Sequence, residues 1–305
     1  MTATSPLSPS LSTLNANLIC AASMLIWAVG LAAGEILIPH IPPLPLAALR
    51  AGTAALVLLP VWGMIEGFGP FRSAPWGRAL VVGGIGIGIG ALLLVIAQGM
   101  TDAVTVAVIS AATPIVGIAL ECLLDGRRMT RAMLAGLLLS VLGGVLALDW
   151  STGGVSLGLG AAAAFGAVLA FTWASRATVT AFPGLTALGR TTVTITGGAV
   201  VAVAMAGLGV AFDAPATDWA ALGWPEVGAL VAFGIGSLAV SQTLWIMAVG
   251  RLGIGLASLH MNTASFYVML IVFLAGGLWD WQRAFGAAVV VLGVLVAQGM
   301  FGARR

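Results

Sequence analysis

Residues 130–148, TRAMLAGLLLSVLGGVLAL, and residues 280–298, DWQRAFGAAVVVLGVLVAQ, lie 150 positions apart and share Val-Leu-Gly at 141–143 and 291–293. The register runs without a gap from Ala97–Leu148 over Met247–Gln298, with ten identities that include Thr113/Thr263, Gly126/Gly276 and Gly136/Gly286. A shift of 140 similarly lays Pro43 and Arg50 over Pro183 and Arg190. So apolar a composition produces some identities by chance. A gapless register over two helix-length stretches is the signature of an internal repeat, and a repeat decides the architecture before any motif does.

The composition fixes the solvent. Of 305 residues, 60% are hydrophobic and 7% are charged, where a soluble domain carries about 25% charged residues. That supply cannot cover a water-facing surface, which excludes a soluble enzyme, a nucleic-acid binder and a disordered chain. Lysine is absent: all 12 basic residues are arginine, so P-loop and Schiff-base lysine chemistry is excluded too. Cys20 and Cys122 sit in apolar stretches and read as buried small hydrophobes rather than a disulfide. The chain is an integral membrane protein whose partner is the lipid bilayer.

A bilayer core needs about 20 apolar residues per helix. Pro, Gly and charge clusters divide the chain into ten such runs, near 15–38, 44–65, 77–99, 103–124, 130–148, 156–177, 184–208, 225–249, 253–275 and 283–301. Met1–Thr13 reads as a polar tail before a retained first helix, not a cleaved signal peptide. With the N-terminus inside, nine arginines fall on the cytoplasmic side (Arg72, Arg78, Arg127, Arg128, Arg131, Arg176, Arg251, Arg304, Arg305) and one, Arg283, outside. That asymmetry is the positive-inside pattern, with both termini cytoplasmic. Seven tryptophans (62, 76, 150, 219, 224, 279, 281) fall at predicted helix ends, as an interfacial belt would.

The halves are therefore 1–150 and 151–305, five helices each. An odd number makes the second half enter the membrane upside down, which is the inverted-topology repeat of transporters that alternate access about a midplane site. The fold class is an all-α integral membrane protein of ten transmembrane helices. Five plus five helices, Pro114 in the fourth, the turn Leu124-Asp125-Gly126-Arg127, the Pro43…Arg50 element and Gly143-Gly144-Val145-Leu146 resemble the EamA family of the drug/metabolite transporter superfamily. The turn departs from the family's usual Gly-Glu, and Pro114 is matched in the second half by Ala264. The resemblance implies export of small metabolites, amino acids and aromatic amino acids above all. It also implies a central cavity lined mainly by helices other than the fifth and tenth, and the inner membrane of a bacterium.

Each polar group inside a span needs a reason, since a charge at a helix centre costs roughly 2.5–3.5 kcal/mol on insertion scales. The ninth run holds the densest cluster, with His260, Asn262, Thr263 and Tyr267, the sole tyrosine. His260, Thr263 and Tyr267 form one helical stripe. The eighth run offers Ser237, Ser241 and Trp245 on one face, with Gln242 beside them. Trp27, Gln98, Ser110, Thr113 and Trp173 extend the inventory. Candidate substrate-binding residues are Trp27, Gln98, Ser110, Trp173, Gln242, Trp245, His260, Asn262 and Tyr267. Candidate coupling or gating residues are Glu35, Arg50 and Arg190. For Glu35 the bland alternative is an interfacial acid or a partner of Arg50; for Arg50 and Arg190 it is anchoring at the headgroups. Glu121 is placed to pair with Arg127 or Arg128. Ser and Thr in bundles often bond only to backbone.

Gly83–Gly90 alternates glycine and isoleucine but lies inside an apolar span with no strand before it, so it is no nucleotide loop. It offers small-xxx-small helix contacts and a bendable third helix. No cofactor, metal site or catalytic constellation is expected: the two histidines stand on different segments without a helical acid partner. The leading function is a secondary transporter exporting small metabolites, amino acids first. The alternatives are a proton-coupled multidrug or cation exporter working through Glu35, and a membrane assembly protein. The apolar fifth and tenth helices would suit a homodimer contact.

Overall fold

The structure, a computed structural model, describes residues 12–101, 106, 109–110, 112–146, 158–212, 215, 217–274, 279 and 281–297. Both chain ends, the expected junction of the two repeats at 150–151 and the side chain of Arg283 lie outside the described residues.

Helices run α1 Thr13–Leu37, α2 Pro43–Glu66, α3 Phe68–Ser73, α4 Trp76–Met100, α5 Thr113–Leu124, α6 Arg131–Leu146, α7 Leu159–Thr180, α8 Ala187–Ala211 and α9 Trp224–Leu252. In α10 the pieces Ile254–Ser258 and Ala264–Leu274 flank a 3-10 segment, Leu259–Thr263, and α11 is Trp281–Ala297. No strand occurs among the described residues. Each of the ten apolar runs holds one of these helices, and six helices are long and apolar enough to cross a bilayer. The ends follow local chemistry. The Ser12 hydroxyl accepts from Asn15 N at 3.1 Å and the Thr186 hydroxyl from Gly189 N at 3.1 Å, each capping a helix. Gly67 at φ 78° and Gly253 at φ 81° end α2 and α9 with a positive φ, where a side chain would be strained.

Two helices change winding in mid-span. Gly84–Ile89 in α4 and Val231–Val240 in α9 are π-helical: Gly90 N–H bonds to the Ile85 carbonyl and Ser241 N–H to that of Gly236. Shifted by 150, residues 84–89 become 234–239, inside the second stretch. The bendable glycine run thus has a defined form, and it recurs at the repeat-related place. Such segments are rare and concentrate at functional sites.

Helices of the two halves interleave. α1 packs on α9, α4 on α7, α2 on α8, α5 on α10 and α6 on α11. Exchanging the members of each half in order maps this set of pairs onto itself. Glycines permit the closest approaches, because small residues let backbones meet without a solvophobic force in lipid. A Cβ at Gly136 would collide with Gly293 and Ala297, and one at Gly143 with Gly286 and Val290, so α6 and α11 are fitted face to face. Their outer faces expose Leu134, Leu138, Leu142, Phe285 and Leu292.

The bundle end that carries the N-terminus of α1 is knitted by polar contacts. Arg176 clasps Asp125 with both arms of its guanidinium, Nε donating at 2.8 Å, and Arg127 pairs with Glu121. Glu121 also accepts from Gly255 N at 3.1 Å, and Arg78 donates to the Ala181 carbonyl at 2.6 Å. Water-exposed Asp125 has its carboxyl held below the usual range, chiefly by the Arg176 hydrogen bond. Trp62 departs from the belt expectation. It is 0% exposed, donating to Glu66 at 3.0 Å beneath Phe71, because the short α3 folds back over the end of α2. Trp219, Trp224 and Trp281 are exposed, as belt residues are. Both described cysteines are free, and Cys20 is buried against α10.

Candidate functional site

Between the halves lies a cavity of about 720 Å3, counted with its open mouth. Met24 and Trp27 of α1, Arg50 of α2, both π-helical segments, α7 and Met261 of α10 form its wall, with Ser110 and Thr113 from the fourth run. Among the described residues, none of α6 or α11 lines it. The floor, on the side of α1's N-terminus, is a dry cluster in which Ala16, Cys20, Ile246, Val249 and Ala257 continue from Met24, Trp245 and Met261.

The walls are apolar with a few fixed polar groups, the usual make-up of a small-molecule site. Trp245 is 1% exposed; its Nε1 donates to Ser175 at 3.0 Å, and its ring lies 5.8 Å from that of Phe171. Ser23 and Ser241 bind α1 to α9 reciprocally, each hydroxyl donating to the other's carbonyl, at 2.8 and 2.9 Å. Thr113 donates to the Ser110 carbonyl at 2.6 Å, while Gln242 of α9 is buried beside Trp245 in the wall.

Arg50 is the charged member. It is 4% exposed, donates from Nη2 to Ser237 Oγ at 3.0 Å and from Nε to the Phe233 carbonyl at 3.4 Å, and lies 4.2 Å above the Phe233 ring. The described ion pairs are Arg127–Glu121 and Arg176–Asp125, and Arg50 belongs to neither.

The cavity brings together Trp27, Ser110, Gln242, Trp245 and Arg50 from the sequence candidates. The others stand elsewhere. Trp173 packs with Trp62 and Phe182 toward the knitted end. His260 is buried in the 3-10 segment with Nδ1 3.3 Å from the Ala257 carbonyl. Asn262 donates to the carbonyl and hydroxyl oxygens of Ser140 on α6, at 3.0 and 2.8 Å. Tyr267 stacks edge-on against Phe266. Gln98 is 7% exposed, and neither amide atom finds a partner among the described residues. Glu35 is exposed, and Arg190 holds the Phe182 and Pro183 carbonyls at 2.9 and 3.3 Å. The helical stripe of α10 is dispersed because Leu259–Thr263 winds as a 3-10 helix, three residues per turn. Sequence reasoning missed Met24, Phe171 and Met261, apolar groups that no polar inventory would find; the i+3, i+4 relation of Met24 and Trp27–Ala28 on α1 was the available signal.

A cavity between two interleaved halves, walled by repeat-related broken helices, invites comparison with known carriers. Residues 14–148 match the EamA-like transporter family. The match spans 135 of the 305 residues, less than half of the chain. It covers α1 to α6, and with them Trp27, Arg50 and Ser110. One solved structure, described only as "Crystal structure of protein", aligns over 95% of this chain and 98% of its own with TM-score 0.78 at 23% identity, a likeness of fold alone. No curated protein sequence matches the chain. Among the described residues, no three His, Cys, Asp or Glu side chains gather as a metal ion would require.

Proposed function

We propose that the chain is a secondary transporter that exports small metabolites, amino acids with neutral or aromatic side chains foremost, by alternating access around the cavity of Trp27, Arg50 and Trp245. The observation that carries this reading is the pair of π-helical segments. They stand 150 residues apart, one in each half, and both form cavity wall. Broken helices at the centre of an inverted repeat are where carriers place cargo. The reading includes ten spans in two inverted halves, 1–150 and 151–305, with both termini in the cytoplasm of a bacterial inner membrane. The exposed leucines of α6 and α11 would face lipid or a second copy of the chain.

The aromatic wall suits an apolar or aromatic side chain, and Ser241 and Gln242 suit its polar end. The cation-exporter alternative is weakened by Glu35, which is exposed and outside the cavity, while the charge that faces the cavity is positive.

The test is flux of labelled amino acids across liposomes containing the purified chain, with and without an imposed pH gradient. Counter-flow above protein-free liposomes, lost in Trp245→Ala, is the expected result. No flux of any amino acid would reject the amino-acid assignment.

A further inference from the structure

Arg50 sits where an arginine is hard to keep. A buried ion is stable when an opposite charge and a full set of hydrogen bonds replace water. The guanidinium has five N–H donors. Two of its nitrogens are engaged, by a hydroxyl and a main-chain carbonyl, both neutral. One face lies on the Phe233 ring. Arg50 is one of the residues that line the cavity, and three of its five N–H donors have no partner among the described residues.

The described acids are occupied or remote. Glu66 accepts from Trp62, Glu121 pairs with Arg127, Asp125 with Arg176, and Glu226 caps Gly223 N at 2.7 Å. Glu35 and Asp218 are exposed. None of them lines the cavity, and among the described residues no cation besides Arg50 does.

We propose that Arg50 selects the cargo, and that the group selected is a single carboxylate on an apolar or aromatic body, with no requirement for an ammonium on the same molecule. This rests on the reading of the cavity as the transport site. Held from behind by Ser237 and Phe233, the guanidinium presents a fixed fork, which matches a carboxylate in planar, two-pronged fashion. One cation, with no charged neighbour among the described cavity residues, balances a monoanion rather than a phosphate dianion. An ammonium would meet only hydroxyls, the Gln242 amide and aromatic faces, so its removal from the cargo costs little. Trp27, Phe171 and Trp245 receive the apolar body.

The test uses three molecules of one shape: L-phenylalanine, 3-phenylpropionate, which lacks the ammonium, and phenethylamine, which lacks the carboxylate. Purified full-length chain is assayed for ligand-induced thermal stabilisation in detergent and, in proteoliposomes, for inhibition of labelled phenylalanine flux. Wild type is compared with Arg50→Gln and Arg50→Lys. Phenylpropionate is expected to bind within about threefold of phenylalanine, and phenethylamine at least about tenfold more weakly. Arg50→Gln loses that order and Arg50→Lys keeps it, a change in ranking that a merely structural role would not produce.

Equal binding of phenethylamine and phenylpropionate to wild type overturns the proposal, whether or not either variant folds. So does a monodisperse Arg50→Gln protein that keeps the wild-type ranking, and so does the absence of binding by all three. Charge-ranked binding without any phenylalanine flux rejects the transport reading and leaves the carboxylate site standing.

Discussion

The Arg50 guanidinium of α2 and the Ser237 hydroxyl of α9 are joined at 3.0 Å across 187 residues of chain. Ser237 lies in the π-helical stretch of the second half and is 2% exposed. One hydrogen bond therefore links a charge from the first half to the irregular backbone of the second, at the cavity wall. Ser237→Ala removes a neutral acceptor from a buried cation. It is expected to cost about 1–2 kcal/mol, read as a fall in the melting temperature of the purified chain. An unchanged melting temperature would mean that water replaces the hydroxyl, and that Ser237 does not hold the arginine.

Gly30 sets the distance between α1 and that same serine. A Cβ built there falls on the Ser237 side chain, whereas one at Gly52 meets nothing within 4 Å. Overpacking a fitted contact costs typically about 1–3 kcal/mol, and a larger side chain costs more. Gly30→Val is expected to lower thermal stability sharply, and Gly52→Ala to leave it level or raise it slightly, since alanine is the better helix former. Equal effects at both glycines would show that α1 and α9 do not meet as closely as described.

The apolar helices were legible because lipid requires every backbone group to be satisfied within its own helix, and six of them are long and apolar enough to cross a bilayer. The sequence matches Gly136 with Gly286 and Gly143 with Gly293; in the structure the crossed partners meet, Gly136 against Gly293 and Gly143 against Gly286, so all four are held by the α6–α11 contact. The cavity was legible only in part. Trp27, Arg50, Ser110, Gln242 and Trp245 could be named because polar or large groups in a span need a reason. Phe171 and Met261 could not, because they look like any lipid-facing residue until the packing is known. Asn262 lies outside the cavity wall for a different reason: its amide nitrogen is taken by Ser140 of α6, while its amide oxygen is buried with no partner among the described residues. Trp62 was placed at the interface by its position in the chain and is covered by α3, a six-residue helix too short to announce itself by periodicity.

Asp125 and Arg176 give the knitted end a pH dependence. The carboxyl's pKa is depressed in the folded chain by Arg176. The pair therefore contributes stability above the unfolded pKa of Asp, near 4. That contribution is lost as pH falls through the depressed folded value. Asp125 is partly open to water, so screening keeps the pair under about 1 kcal/mol. Wild type and Asp125→Asn should differ in melting temperature at pH 7, converge toward pH 3 and differ less in high salt. A gap that persists at low pH would assign the asparagine's effect to packing instead.

The proposed alternating access requires the knitted end to part, and Cys20 is placed to report it. Its thiol is fully buried and donates to the Ala257 carbonyl at 3.6 Å, in the dry cluster that floors the cavity. Opening that end separates α1 from α10 and exposes the thiol. The contacts that resist opening are Arg176–Asp125 and Glu121 with Arg127 and Gly255 N. Arg176 and Gly255 N join α7 and α10 to the end of α5 and the turn after it, and the Glu121–Arg127 pair ties that turn to α5. In a Cys122→Ser background Cys20 is the sole thiol, and its alkylation by N-ethylmaleimide at fixed pH measures the open population. Removing an ion pair worth about 0.5–1 kcal/mol shifts a two-state population by roughly two- to fivefold. Asp125→Asn should therefore speed alkylation by that factor, and Arg176→Gln should do the same, with no further gain when the two are combined. A denatured fraction would react at the same rate in every variant and reveal itself by a second phase. If Cys20 reacts no faster in either variant, the pair closes a surface that does not move during transport, and the gate must be sought in the dry cluster itself.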